Sequence, residues 1–126
     1  MMERILVIED DPTFRGFLQK VLVKEGYEVS GAESGEKGLL LLRREGFDLV
    51  ISDLKMPVMD GMELALWMSE ARPHVPAIMM SAAADPQAVA SLVQKGYSYF
   101  EKPLDQKKLF DVVHSLLSDQ SGRRTH

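Results

Sequence analysis

Five short apolar runs recur along the chain, each followed by a stretch with helical periodicity, and this alternation restricts the fold more than any other feature. Arg4–Ile8 (RILVI), Tyr27–Ala32 (YEVSGA), Asp48–Ser52 (DLVIS), Pro76–Ser81 (PAIMMS) and Tyr97–Glu101 (YSYFE) read as strands. The first stops abruptly at Glu9-Asp10-Asp11 and is apolar on both faces, as buried parallel strands are. Phe14, Phe17, Leu18, Val21 and Leu22 then follow the i, i+3, i+4, i+7, i+8 pattern of an amphipathic helix. Asp11 or Thr13 can cap that helix, Pro12 suits its first turn, and Gly26 closes it. Ser34–Glu45, Asp60–Arg72, Asp85–Lys95 and Asp105–Ser118 supply four more helices. The second strand is the least apolar and suits a sheet edge. Strands alternating with helices form a parallel sheet with right-handed crossovers and helices on both faces. Ligands of such sheets bind at the carboxyl ends of the strands, beside the switch in strand order.

At 126 residues, 45% of them apolar, the chain is one domain with material for a real core. A net charge of −4 argues against a surface built to neutralise nucleic-acid phosphates. The absence of cysteine excludes disulfides, Cys-ligated zinc, iron–sulfur clusters and thiol catalysis. No apolar run approaches the ~18–20 residues that span a bilayer. Met-Met-Glu-Arg ahead of the first strand is too short and too charged for a signal peptide, so the cytoplasm is the expected compartment. Past Ser118 the periodicity fades, and residues 119–126 (DQSGRRTH) are expected to form a flexible tail or linker. Those eight residues leave no room for a DNA-binding domain, so no direct nucleic-acid contact is expected of this chain.

The residues able to do chemistry gather at the strand ends. Glu9-Asp10-Asp11 closes the first strand, Asp53 the third and Ser81 the fourth, while Lys102 follows the fifth. If the first and third strands are neighbours, several carboxylates converge there. Like charges at close quarters disfavour ionisation unless a cation intervenes. Hard oxygen ligands with open positions suit Mg²⁺, which keeps waters and accepts phosphate oxygens. An acid after a strand also commonly caps the next helix, and Asp11 is read that way. Asp53 lies too far ahead of the helix starting near Asp60 for the same explanation.

Four segments carry a resemblance: ILVIEDD (Ile5–Asp11), DLKMPVMDG (Asp53–Gly61), MMSAA (Met79–Ala83) and GYSYFEKP (Gly96–Pro103). Each alone is common. In this order and spacing, each at a strand end, they make the chain resemble the receiver domain of two-component response regulators across residues 4–118. The resemblance implies a flavodoxin-like (βα)5 fold of three α/β/α layers, strand order 2-1-3-4-5, as in the chemotaxis member of that family. It implies a receiver domain over residues 1–118 in which Asp53 is the phosphoacceptor. Asp10 would be a direct Mg²⁺ ligand beside Asp53 and the backbone carbonyl of Lys55, with Glu9 acting through water. Ser81 would be the switch hydroxyl, Tyr99 the switch aromatic, and Lys102 the lysine preceding a cis proline, Pro103. Glu9 stands where the family more often has Asp.

The implied partners are a sensor histidine kinase or a histidine phosphotransfer protein. The fourth helix, fifth strand and fifth helix would change on phosphorylation, toward a second copy or an output domain. Such a module catalyses only its own phosphorylation and dephosphorylation. The chemistry agrees: a carboxylate can attack phosphorus, and positive charge from Mg²⁺ and Lys102 offsets the repulsion. A flavin protein would need a hydroxyl- and glycine-rich phosphate cradle after the first strand, where Glu9-Asp10-Asp11 stands. An aspartyl phosphatase would need an acid at position 55, where Lys55 stands. An adaptor that keeps the fold without taking up phosphate is the remaining alternative. His74, His114 and His126 are read as surface residues, the methionines as gap-fillers, and Trp67 as partly buried.

Overall fold

A computed structural model describes residues 2–124, with side chains described as far as Ser118. The elements run β1 (Arg4–Ile8), α1 (Pro12–Lys24), β2 (Glu28–Ala32), α2 (Gly35–Arg44), β3 (Leu49–Asp53), α3 (Gly61–Ala71), β4 (Ala77–Ser81), α4 (Pro86–Gln94), β5 (Ser98–Glu101) and α5 (Gln106–Arg124). All strand pairs are parallel, in the order β2-β1-β3-β4-β5. That is the flavodoxin-like order, with the less apolar β2 at one edge.

The three central strands are buried on both faces, which is why their sequences are unbroken apolar runs. In β1, Ile5 and Val7 point to one layer and Leu6 and Ile8 to the other, all of them inaccessible to solvent. Ile5, Val7, Leu49, Ile51, Ile78 and Met80 pack against Leu18 and Leu22 of α1 and Leu109, Val113 and Leu117 of α5. Leu6, Ile8, Val50 and Met79 pack against Leu42 of α2, Leu64 and Met68 of α3 and Leu92 of α4. Each fully buried aliphatic side chain contributes about 1.5–3 kcal/mol. Met56, Met68, Met79 and Met80 are all core residues, and Trp67 is half-buried with the guanidiniums of Arg43 and Arg72 over its ring at 5.9 and 5.4 Å.

Helix starts follow the sequence closely. The side chains of Asp11, Ser34, Asp60 and Asp85 each accept a backbone N–H at the first turn of α1, α2, α3 and α4. Gly26 and Gly96 end α1 and α4 with φ of 99° and 83°. The C-terminus departs from expectation: α5 continues past Ser118 to Arg124. The backbone i→i−4 hydrogen bonds need no apolar face, and the DQSGRR segment, though it includes Gly122, holds no proline to remove one. The final part of the expected tail, Thr125 and His126, lies outside the described residues. Among the described residues no helix is long and apolar enough to cross a membrane.

Candidate functional site

Strand order and register bring the charged residues together. Ile8 pairs with Ser52, so Glu9 and Asp53 leave adjacent strands side by side. Glu9 is anchored by its N–H to the Ala32 carbonyl at 3.0 Å, and its own carbonyl accepts from Arg15 Nη1 at 2.7 Å. The N–H of Leu54 donates to the Met80 carbonyl and that of Lys102 to the Ser81 carbonyl, at 2.9 and 2.8 Å, carrying the ladder past the ends of β3 and β5.

Glu9 is 1% exposed and Asp53 7%, while Asp10 faces solvent. One carboxylate oxygen from each of these three residues lies within 4.8 Å of the others. Lys102 Nζ donates to Glu9 Oε1 at 3.0 Å and to Asp53 Oδ2 at 2.9 Å. The second oxygen of Glu9 accepts from the Asp11 N–H at 3.1 Å, and the second of Asp53 from the Lys55 N–H at 3.1 Å. Asp53 is thus held at both oxygens.

Burial pushes the Glu9 carboxyl above the usual carboxylate range, with further push from Asp10 and Asp53. The Asp11 amide and Lys102 offset this only in part. For Lys102, partial burial opposes the charge, but the hydrogen bonds to Asp53 and Glu9 outweigh it and the ammonium is held above its ordinary pKa. Three carboxylates against one ammonium leave a formal charge of −2. Converging hard oxygens, two of the three carboxylates buried and that of Asp10 open to solvent, fit with that imbalance one divalent cation of the Mg²⁺ kind.

The other residues singled out from the sequence sit around this cluster. Ser81 is inaccessible to solvent, and its hydroxyl donates to the Ala83 carbonyl at 3.1 Å and accepts from the Ala83 N–H at 3.2 Å. Tyr99, opposite Met79 in register, is half-buried against the core. Burial, then the Glu101 and Asp53 carboxylates, raise its phenol pKa. The Lys102–Pro103 peptide is cis. Asp11 caps α1, accepting from the Thr13 N–H at 3.0 Å. His114 lies in a separate depression with Glu25, Tyr27 and Phe110, and His126 is outside the described residues.

Two features of the site escape the sequence patterns. The ring of Phe14 lies under Lys102, with Nζ 4.8 Å from its centroid. Helical spacing assigned Phe14 only to an apolar face; its signal is its place in the first turn after the acidic run. Val58, in the loop from Asp53 to α3, has φ of 70° and stands 84% exposed. It is the centre of a tight turn in which the Met59 N–H donates to the Pro57 carbonyl at 2.9 Å.

Comparison with known proteins matches residues 5–114 to the response regulator receiver domain family. The transcriptional regulatory protein GlrR of Escherichia coli K12 is 41% identical over 96% of this chain and 27% of its own length. The response regulator FleR of Pseudomonas aeruginosa is 38% identical over 90% of this chain and 24% of its own. The chain therefore spans about a quarter of the length of these relatives. Among solved structures, a CheY-like receiver domain from Methanospirillum hungatei aligns with a TM-score of 0.92 at 29% identity, covering 98% of this chain and 99% of its own. The response regulator TrrA of Thermotoga maritima, in complex with Mg²⁺–BeF, aligns with a TM-score of 0.82 at 32% identity, covering 92% and 100%. With order β2-β1-β3-β4-β5 and these matches, the chain belongs to the response regulator receiver domain family.

Proposed function

We propose that the chain accepts a phosphoryl group onto Asp53 from a phosphohistidine on a sensor histidine kinase or a histidine phosphotransfer protein. The observation that carries the reading is the meeting of Asp53 with Glu9, Asp10 and Lys102 at the ends of neighbouring strands. An Asp53 oxygen forms the new bond to phosphorus, the bond from phosphorus to the donor imidazole nitrogen breaks, and that nitrogen keeps the electron pair. The Lys55 amide and the Lys102 ammonium fix the plane of the Asp53 carboxylate before attack. Asp10, Asp53 and the Lys55 carbonyl would hold Mg²⁺, with Glu9 acting through water. Bound there, Mg²⁺ supplies the positive charge that offsets carboxylate–phosphoryl repulsion. TrrA's complex with Mg²⁺–BeF supports this choice of cation. Lys102 adds a point charge beside Asp53.

The output follows from Ser81 and Tyr99. The Ser81 hydroxyl exchanges its Ala83 partners for a phosphoryl oxygen, and the Tyr99 ring moves into the space released. The α4-β5-α5 surface changes with them, toward a second copy or an output domain. That response shifts a pre-existing equilibrium rather than creating a new state. Relatives such as GlrR are transcriptional regulators, so nucleic-acid contact belongs to an output domain and not to residues 1–118, which we take as the receiver. We place this chemistry in the cytoplasm, and as catalysis by the domain only on itself.

The test is incubation with Mg²⁺ and acetyl phosphate, followed by intact mass. One acid-stable, base-labile phosphoryl group should appear, and Asp53→Asn should stay folded and gain none. Labelling of that variant at a comparable rate would overturn the assignment. No observation favours the adaptor alternative, which would leave the wild-type mass unchanged.

A further inference from the structure

We propose that Phe14 is a positioning residue for Lys102, its ring serving as a third seat for the ammonium beside the carboxylates of Glu9 and Asp53. The inference rests on the receiver reading and adds a residue to its machinery. A lysine ammonium carries three donors. Two are taken by Glu9 Oε1 and Asp53 Oδ2, at 3.0 and 2.9 Å. Nζ also stands 4.8 Å from the Phe14 centroid, within the ~6 Å at which a ring face attracts a cation. Phe17 lies nearly parallel to that ring, with centroids 6.4 Å apart and planes 19° apart. Leu18, Leu104 and Leu109 line the same depression between α1 and the β5–α5 connection, so the ring's neighbours there are mainly aliphatic.

The two carboxylate partners are the groups the reaction calls on. Any cation or phosphoryl group arriving at the cluster draws on the oxygens that now hold Lys102. An aromatic quadrupole is neither titrated nor consumed, so its attraction for Nζ persists while those oxygens change partners. Phe14 thereby keeps the ammonium next to Asp53 through the step in which its ionic contacts are exchanged.

Pentafluorophenylalanine installed at position 14 keeps the shape of the ring and removes its attraction for a cation, so packing and charge effects separate. Uptake of phosphoryl from acetyl phosphate should slow about 5-fold, about 1 kcal/mol at 1.36 kcal/mol per tenfold. Phe14→Trp should hold the wild-type rate. Independently of turnover, the Lys102 ε-methylene protons of the metal-free wild type should be shifted upfield by the ring, and Phe14→Leu should abolish that shift. Wild-type uptake by the fluorinated protein, or Lys102 protons without an upfield shift, overturns the proposal. Slowing by Phe14→Leu without slowing by fluorination overturns it equally, because packing then suffices. If the wild type itself takes up no phosphoryl group, the receiver reading has failed, while the Lys102 shift still decides whether the seat exists.

Discussion

Gly61→Ala and Gly16→Ala add the same methyl group and should move stability in opposite directions. At Gly61 the new Cβ falls 2.6 Å from the Asp53 carbonyl oxygen and 2.8 Å from the Leu54 Cα, where ordinary contact begins at 3.4 Å. Both are backbone atoms at the end of β3, and the Leu54 N–H is tied to the Met80 carbonyl at 2.9 Å, so neither swings aside as a side chain would. Overpacking of this kind costs about 1–3 kcal/mol, and with rigid neighbours about 2 is expected. Gly16 lies exposed in the middle of α1, with nothing within 4 Å of its added Cβ. Alanine there should stabilise by about 0.5–1 kcal/mol through helix propensity and reduced backbone entropy.

For 126 residues, an unfolding entropy of about 2.1 cal/mol/K per residue makes 1 kcal/mol worth about 4 °C. Gly61→Ala should therefore melt about 8 °C below the wild type, and Gly16→Ala about 2–4 °C above it. Urea unfolding followed by circular dichroism, without metal and with m-values checked for equality, measures both changes. Because the strain at position 61 bears on the Asp53 carbonyl, Gly61→Ala should also take up phosphoryl more slowly at temperatures where it is fully folded. Stability of Gly61→Ala within about 0.5 kcal/mol of wild type, or any loss from Gly16→Ala, would refute the steric reasoning.

Three further outcomes follow from the site. Burial raises the Glu9 pKa above 4.5, so in that window the folded state binds more protons than the unfolded one and Glu9 costs increasing stability as pH rises. Metal-free Glu9→Gln should therefore gain on the wild type between acid and neutral pH in urea titrations; a pH-independent difference contradicts this. Asp10→Asn should weaken Mg²⁺ binding in calorimetry far more than Asp11→Asn, whose asparagine still caps α1; equal losses would sink the division of roles. Val58→Gly should stabilise by about 0.5–1 kcal/mol, because a β-branched residue at φ 70° is strained, glycine adopts that φ freely, and an 84%-exposed side chain gives up no core; destabilisation in urea would count against stored strain.

The sheet was legible because burial on two faces leaves an unmistakable trace. Ile5 and Val7 serve one layer and Leu6 and Ile8 the other, so no polar residue interrupts the run. The edge position of β2 was equally readable, since a strand with one neighbour tolerates Glu28 and Ser30. The end of α5 was not. Hydrophobic periodicity reports which face of a helix is buried, and it falls silent in DQSGRR, where no residue is apolar. The backbone hydrogen bonds need no apolar face, and the helix runs to Arg124.

At the site, the sequence located the charged groups but not how they meet. Glu9 and Lys102 lie 93 residues apart, and Asp53 and Lys102 lie 49 apart; only strand order makes them neighbours. With β4 standing between β3 and β5, the end of β5 is two strand spacings, about 10 Å, from the end of β3. The group that bridges to Asp53 from there must be long, cationic and able to cross β4, which ends in the small, buried Ser81. Lysine's unbranched stem meets that demand, and its single charged atom can serve two carboxylates and a ring face at once. Helical spacing places Phe14 on the apolar face of an amphipathic helix and goes no further. Its helical spacing is identical whether the ring faces an aliphatic layer or an ammonium. The passage of α1 beside the β5–α5 connection, where Lys102, Pro103 and Leu104 share one depression with Phe14, converts an ordinary apolar position into one that touches the charge of the site.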